Sequence, residues 1–290
     1  MRSGLQVPEI MVNIESILHE MRLIKSPEEI ELMRTAAQIS AQGHLHLMKM
    51  CKPGLFEYQL EGKFVGECMV QGARFQAYTS IVAGGAHACI LHYTQNDMRL
   101  NDGDLVLIDA GCEYDNYASD ITRTYPVNGK FSPAQKAIYE LVLSAQLAAI
   151  ALIKPGLPWP RMQEKIIQII TEGLVELKIL QGKVDELIEK KAHRAFYMHN
   201  SGHWLGLDVH DVGAYKIGDA WRELAENMTL TVEPGIYITP GTEDVDPKWW
   251  GIGVRIEDDV RVTQDGVEIL SHGLPKTIAD IEDVMQHGLR

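Results

Sequence analysis

Two kinds of hydrophobic spacing alternate along the chain. From residue 26 to about residue 50 the pattern is helical, opened by Ser26-Pro27-Glu28-Glu29 and stopped at Lys52-Pro53-Gly54. Serine caps, proline suits the first helical turn, and Glu29 can close a capping box. A second helix is predicted over 57–71, then strands over 79–83, 105–110 and 118–127. The same order then returns. Ser132-Pro133-Ala134-Gln135 opens a helix to residue 153, Lys154-Pro155-Gly156 stops it, and a helix over 160–175 follows. After a longer insertion come strands over 229–233, 252–257 and 259–263, and a last helix over 278–286. One such start or one KPG stop is a common turn, but their shared order points to an internal duplication. No Pro/Gly/Ser-rich linker divides the halves, so the pattern predicts one α/β (α+β) domain over 26–290. Residues 1–25 lack strong periodicity and read as an N-terminal arm or the tail of a linker.

Each half ends an apolar strand on an acid followed closely by glycine: LVLIDAG at Asp109 and LTVEPG at Glu233. Each then supplies a second acid on a later strand, Asp120 and Glu257. Residues 111–119 are turn-rich, with Asp115-Asn116 as the tip. With a two-residue loop there, Gly111 lies opposite Asp120, and Asp109 becomes its diagonal neighbour on the same face. On one straight strand the two acids would point to opposite faces. Like charges on one half-buried face raise a pKa unless a cation sits between them. The competing reading has Asp109 capping the strand exit and Asp120 facing solvent.

The stretch MHNSGHWLGLDVHD adds His199, His203 and His210. Gly202 and Gly206 point to close backbone approach. His199 and His203 have helical spacing, but Ser201-Gly202 breaks a helix, so His203 is the candidate ligand, with the other two nearby. In GIGVRIEDD, Val254 and Ile256 mark an apolar face, and Arg255 shares the other face with Glu257. The alternative leaves Glu257 a solvent-facing acid beside Asp258 and Asp259. Four acids and one imidazole suit two divalent ions better than a zinc–thiolate site. Paired ions acidify a water and polarise a carbonyl, which is hydrolytic chemistry.

Composition narrows the partners. A formal charge of −13 argues against nucleic acid and anionic membrane. No apolar stretch reaches the length of a spanning helix, and the first residues lack a signal-peptide pattern. Cys51, Cys68, Cys89 and Cys112 form no C-x-x-C pair and read as buried thiols of a reducing cytoplasm.

The set LIDAG…SDITRT, SGHWLGLDVHDVG, LTVEPGIYI and GVRIEDDV resembles the catalytic domain of metal-dependent Xaa-Pro aminopeptidases over about residues 22–270. They belong to the pita-bread group with prolidase, methionine aminopeptidase and creatinase. The resemblance implies two pseudo-symmetric halves, with helices packed on a curved, mainly antiparallel sheet. It implies two divalent ions, usually Mn²⁺, held by Asp109, Asp120, His203, Glu233 and Glu257, with Asp120 and Glu257 bridging. It gives Glu233 the proton shuttle and makes His92 and His210 substrate contacts. His199, Arg255 and Tyr237 support the site. The implied substrate is a peptide with proline in second position, and a homo-oligomer is allowed. ILHYTQND and HWLG look more like bacterial aminopeptidase P than prolidase. Prolidase nevertheless shares all five ligand positions, and methionine aminopeptidase fits HWLGLDVHDVG and GVRIEDDV poorly. A non-catalytic pita-bread peptide-binding module is the rival of another class. Full-length relatives carry a large N-terminal domain with no counterpart here, so residues 1–25 read as the tail of its linker. The loop 239–250, ending in Trp249-Trp250, either walls the substrate pocket or packs its tryptophans on the domain.

Overall fold

A computed structural model describes residues 10–288. The first half contains α1 (Glu15–Leu23), α2 (Pro27–Met50), α3 (Glu57–Val70), β1 (Phe75–Gln76), β2 (Ile81–Gly84), β3 (Leu105–Asp109), β4 (Cys112–Tyr114), β5 (Tyr117–Ala118) and β6 (Thr122–Pro126). The second contains α4 (Pro133–Leu152), α5 (Pro160–Glu176), α6 (Val184–Glu189), β7 (Lys216–Ile217), β8 (Ala220–Trp221), β9 (Thr229–Val232) and β10 (Gly235–Ile238). It closes with β11 (Ile252–Arg255), β12 (Asp258–Val262), β13 (Val267–Ile269) and α7 (Ile278–Gln286).

Both predicted helix starts are complete capping boxes. Glu29 N–H donates to Ser26 Oγ at 3.3 Å, and Ser26 N–H donates to Glu29 Oε2 at 2.7 Å. Ser132 and Gln135 repeat the exchange at 3.3 and 2.9 Å. Both KPG stops end on a glycine with positive φ, +94° at Gly54 and +82° at Gly156, where a side chain would be strained. α2 packs on α3, and α4 packs on α5 and against β9 to β11. Every strand pairing among the described residues is antiparallel, in five short ladders: β1-β4-β5, β2-β3-β6, β7-β8, β9-β12-β13 and β10-β11. One core spans both halves, with Leu47 and Val106 from the first and Ile138, Leu230 and Val254 from the second.

Several elements differ from expectation. The predicted 118–127 strand is split, because residues 119–121 leave the ladder between β5 and β6. The predicted 252–257 strand ends at Arg255, so Glu257, like Asp120, sits in a gap between strands rather than within one. β10 and β13 form where no strand was predicted. The insertion contains α6 and the β7–β8 hairpin. Part of the 1–25 arm is helical as α1; residues 1–9, 289 and 290 lie outside the described residues. Trp249 is buried in the core and Trp250 is partly exposed; neither lines the main cavity, so the pocket-wall reading of 239–250 is corrected. Cys51, Cys68 and Cys112 are buried thiols, whereas Cys89 is only half-buried. No helix among the described residues is long and apolar enough to cross a membrane.

Candidate metal centre

The hairpin that delivers the first two acids follows from its turn. Asp115 and Asn116 both adopt positive φ, +47° and +71°, as a two-residue hairpin loop of this twist requires. The register is constant across it: Tyr114 faces Tyr117, Glu113 faces Ala118, and Asp109 faces Thr122. Gly111 therefore lies opposite Asp120. A Cβ on Gly111 would sit 1.8 Å from Ser119 O, so only glycine fits this crossing. The freed Asp120 N–H is taken by the Asp259 carboxylate at 3.0 and 3.2 Å.

In the second half, residues 201–205 run beside β9. Thr231 N–H donates to His203 O, Leu205 N–H to Thr229 O, and Glu233 N–H to Ser201 O, at 3.0 to 3.1 Å. This ladder sets His203 next to Glu233. It also explains Gly202, where a Cβ would come within 2.4 Å of Thr231 O. Residues 199–203 are irregular, so no helical histidine pair forms.

The five candidate ligands meet in one cavity of about 860 Å³. His203 Nε2 lies 3.3 Å from Asp120 Oδ2 and 3.6 Å from Glu233 Oε1. Ligand atoms of Asp120, His203 and Glu257 all fall within 4.8 Å of one another. Asp109 and Glu257 are tied to the same cluster by Arg255. Its Nη2 donates to Asp109 Oδ2 at 2.6 Å, and its Nε donates to Thr122 Oγ1 at 3.2 Å. Thr122 Oγ1 in turn donates to Glu257 Oε2 at 2.7 Å. Neither Asp120 nor Glu257 is a solvent-facing acid: they are 5% and 2% exposed.

Burial and mutual repulsion dominate the electrostatics. Burial pushes the Glu233 carboxyl up to about 7, with the Asp120 and Asp109 charges adding to it and His203 opposing. Burial lifts Glu257 well above its ordinary range, reinforced by Asp120, Glu233 and Asp109. Burial also raises Asp109, against the pull of Arg255. Burial opposes the charge on Asp120 too, but the His203 contact wins and holds it below the usual carboxylate range. Burial lowers the His203 imidazole, yet its bond to Asp120 outweighs this and carries it to about 9. Carboxyls that resist ionisation together are what a cation relieves. His203 Nδ1–H donates to Trp204 O at 3.0 Å, which leaves Nε2 facing the acids as a ligand atom. This oxygen-rich set with one imidazole fits hard divalent ions.

The remaining candidates surround the cage. His210 packs edge-on against His203, ring centroids 4.3 Å apart, and burial followed by the His203 charge lowers its pKa. His92 lines the same cavity. His199 Nδ1–H donates to Asn200 O, and its Nε2 accepts from Tyr237 Oη, both at 2.8 Å. Burial and the Arg255 charge lower His199 to about 4, so it is neutral. Arg255 Nη1 completes the chain by donating to Tyr237 Oη at 3.0 Å.

Three partners escaped the sequence reading. Tyr78 Oη donates to Asp109 Oδ1 at 2.6 Å, and Thr122 and Asp259 hold Glu257 and Asp120 as described. Thr122 had a signal, since Asp120, Thr122 and Thr124 recur at the period of one strand face. Tyr78 had none in its own neighbourhood.

The family model of metallopeptidase family M24 matches residues 31–264. The chain is 56% identical over 285 residues to a Xaa-Pro aminopeptidase of Haemophilus influenzae, covering 96% of this chain and 66% of that protein. It is 50% identical over 284 residues to a Xaa-Pro aminopeptidase of Escherichia coli, covering 98% and 64%. The solved aminopeptidase PepP of Pseudomonas aeruginosa superposes with a TM-score of 0.97 at 56% identity, over 99% of this chain and 65% of that one. The chain thus spans slightly under two thirds of the length of these relatives. The expected pita-bread fold is borne out by the superposition. Family match, fold and identity agree over nearly the whole sequence, and the chain belongs to metallopeptidase family M24, a family of metal-dependent peptidases.

Proposed function

We propose that this chain supplies the catalytic part of a Xaa-Pro aminopeptidase, which removes the first residue from peptides with proline in second position. The observation that carries the reading is the convergence of four carboxylates and His203 in one cavity. The names of the relatives support the substrate class. Residues 26–290 would be the catalytic domain and 1–25 the arm or linker tail. Asp109, Asp120, His203, Glu233 and Glu257 would hold two divalent ions. The hard donor set allows Mn²⁺, the ion that the family resemblance implies, alongside Co²⁺, Fe²⁺ or Zn²⁺. When bound, the ions would acidify a water and polarise the scissile carbonyl.

The chain's own groups do the rest. Glu233, on the cavity wall beside His203, would take a proton from the water that attacks the carbonyl and pass it to the proline nitrogen. His92 and His210 on the cavity wall steady the tetrahedral intermediate and the proline end. Arg255, Tyr237 and His199 form one donor chain that keeps Asp109 in place. A cytoplasmic setting is part of the proposal, supported by four free thiols. So is a homo-oligomer, supported by exposed Ile14, Ile17 and Met21 on one face of α1 and read by sedimentation velocity.

The test is Mn²⁺-dependent release of the first residue from an Xaa-Pro-Xaa tripeptide. Glu233→Gln and Asp120→Asn should abolish it. Cleavage of Xaa-Pro dipeptides alone would favour prolidase. Two-site Mn²⁺ binding by calorimetry without hydrolysis would favour a peptide-binding module. Near-full turnover by either variant would sink the ligand assignment.

A further inference from the structure

Residues 208–222 wall the cavity and contribute His210, Tyr215, Lys216 and Trp221 to its lining. Among the described residues, the backbone of 212–221 hydrogen-bonds only within this segment or to Arg222. β7 pairs with β8, Arg222 N–H donates to Tyr215 O at 3.0 Å, and Arg222 Nε donates to Ala214 O at 2.6 Å. The wall's ends are held by backbone, Asp211 N–H donating to Trp204 O at 2.8 Å and Trp159 N–H to Arg222 O at 2.9 Å, and between them the wall takes its position from side chains.

Four of those side chains come from residues 20–25, at the end of α1. Arg222 Nη2 donates to both oxygens of Glu20 at 2.7 Å. Arg22 Nη2 binds Asp208 Oδ2 at 2.7 Å and also Asp211 Oδ1. Lys25 Nζ binds the other oxygen of Asp211 at 3.2 Å. Leu23 is buried against Gly213, where a Cβ would lie 2.4 Å from Leu23 Cδ2. The side chains of Asp211 and Lys25 are 1% and 2% exposed, so this pair is out of water, and losing Asp211 would leave Lys25 a buried charge alone. Asp211 is the chain neighbour of His210. All four residues lie before the stretch matched to the family, which begins at residue 31.

We propose that Glu20, Arg22 and Lys25 are positioning residues for the cavity: they fix the 208–222 wall and, through Asp211, the place of His210. Its kinetic consequence rests on the aminopeptidase reading; its structural one does not. Arg22→Gln should lower kcat/KM of the Mn²⁺-loaded chain on an Xaa-Pro-Xaa peptide about 10-fold, and less than about 2-fold in a His210→Ala background. Arg22→Lys should restore most of the loss. Glu20→Gln, which frees the β7–β8 side, should raise KM more than it lowers kcat. Hydrogen exchange reads the wall directly: amides of 208–222 should exchange about 10-fold faster in Arg22→Gln, with 229–238 unchanged. Unchanged exchange in 208–222, or equal activity losses in both His210 backgrounds, would overturn the proposal. If Arg22→Gln does not fold, Glu20→Gln carries the same exchange test. A wild-type chain inert on proline peptides would defeat the function reading, while exchange would still decide the wall.

Discussion

Glu233 is the most direct probe of the acid cage. In the metal-free chain its pKa stands at about 7 against an ordinary 4.5, raised by burial and by neighbouring acids. A raised folded pKa means the folded chain holds a proton that the unfolded chain has released. Its contribution to stability is full below about pH 4.5 and is lost as the pH rises through about 7. At roughly 1.4 kcal/mol per pH unit, that loss is about 3 kcal/mol. Glu233→Gln keeps the shape and cannot ionise, so metal-free variant and wild type should match at pH 4.5. At pH 8 the variant should be about 3 kcal/mol more stable. For a chain of this length the gain is about 6 °C in Tm. Asp109 and Glu257 are raised for the same reason, so both proteins should keep a falling slope. Saturating Mn²⁺ should reverse the order, because the ions bind the ionised cage and stabilise the wild type by mass action. Thermal unfolding monitored by circular dichroism, with chelator and then with Mn²⁺, reads all four conditions. The reasoning fails if metal-free Glu233→Gln gains nothing at pH 8, or gains equally at pH 4.5 and pH 8.

Two further outcomes follow from local geometry. Gly111→Ala should cost about 3 kcal/mol or more and weaken Mn²⁺ binding, because its Cβ would overlap backbone at Ser119. Urea unfolding and calorimetry check it, and a cost below about 1 kcal/mol would count against the crossing. Asp258→Asn should cost about 3–5 kcal/mol near pH 7, since it strands Arg123 and Lys276, which bind the carboxylate at 2.7 and 2.6 Å. Burial opposes the Asp258 charge, but Arg123 and Lys276 prevail and hold it at about 2, below its ordinary 3.8. Its stabilisation of about 2 kcal/mol is therefore present above about pH 4 and lost as the pH falls through about 2. An acid titration of unfolding free energy with the same slope in variant and wild type would contradict this.

What could be read from sequence was local. The two capping boxes and the KPG stops depend on residues within four positions of each other, so their chemistry is complete in the chain itself. The Asp115-Asn116 turn is equally self-contained, and it fixed the pairing of Asp109 with Asp120. α1 was missed because it is short and Ile14 at its N-terminus provides no side-chain cap. β10 was missed because GIYI is buried throughout, and a short unalternating apolar run has no period to read. One reading left Glu257 a solvent-facing acid beside Asp258 and Asp259, yet all three are buried. Among their partners, Thr122, Arg123 and the Asp120 N–H lie more than a hundred residues away, beyond any local pattern.

Those distant partners have a common arrangement. Asp109 is held by Arg255 from the second half, and Glu257 by Thr122 from the first. The Asp120 amide is held by Asp259, and Arg123 spans to Asp258 and to Glu257 O. Thr124 Oγ1 and the Arg255 backbone exchange two more hydrogen bonds across the same line. Each half therefore delivers two acids, and apart from the Tyr78 hydroxyl on Asp109 the donors to Asp109 and Glu257 come from the opposite half. Separated halves would carry carboxylates stripped of most of these donors, and burying them so would be costly. The cage forms only where the halves close, so closing the fold and assembling the site are one event. The strain this leaves falls on carboxyls with raised pKa values at the seam, and divalent ions bound there would bind the two halves together as well as serve the chemistry.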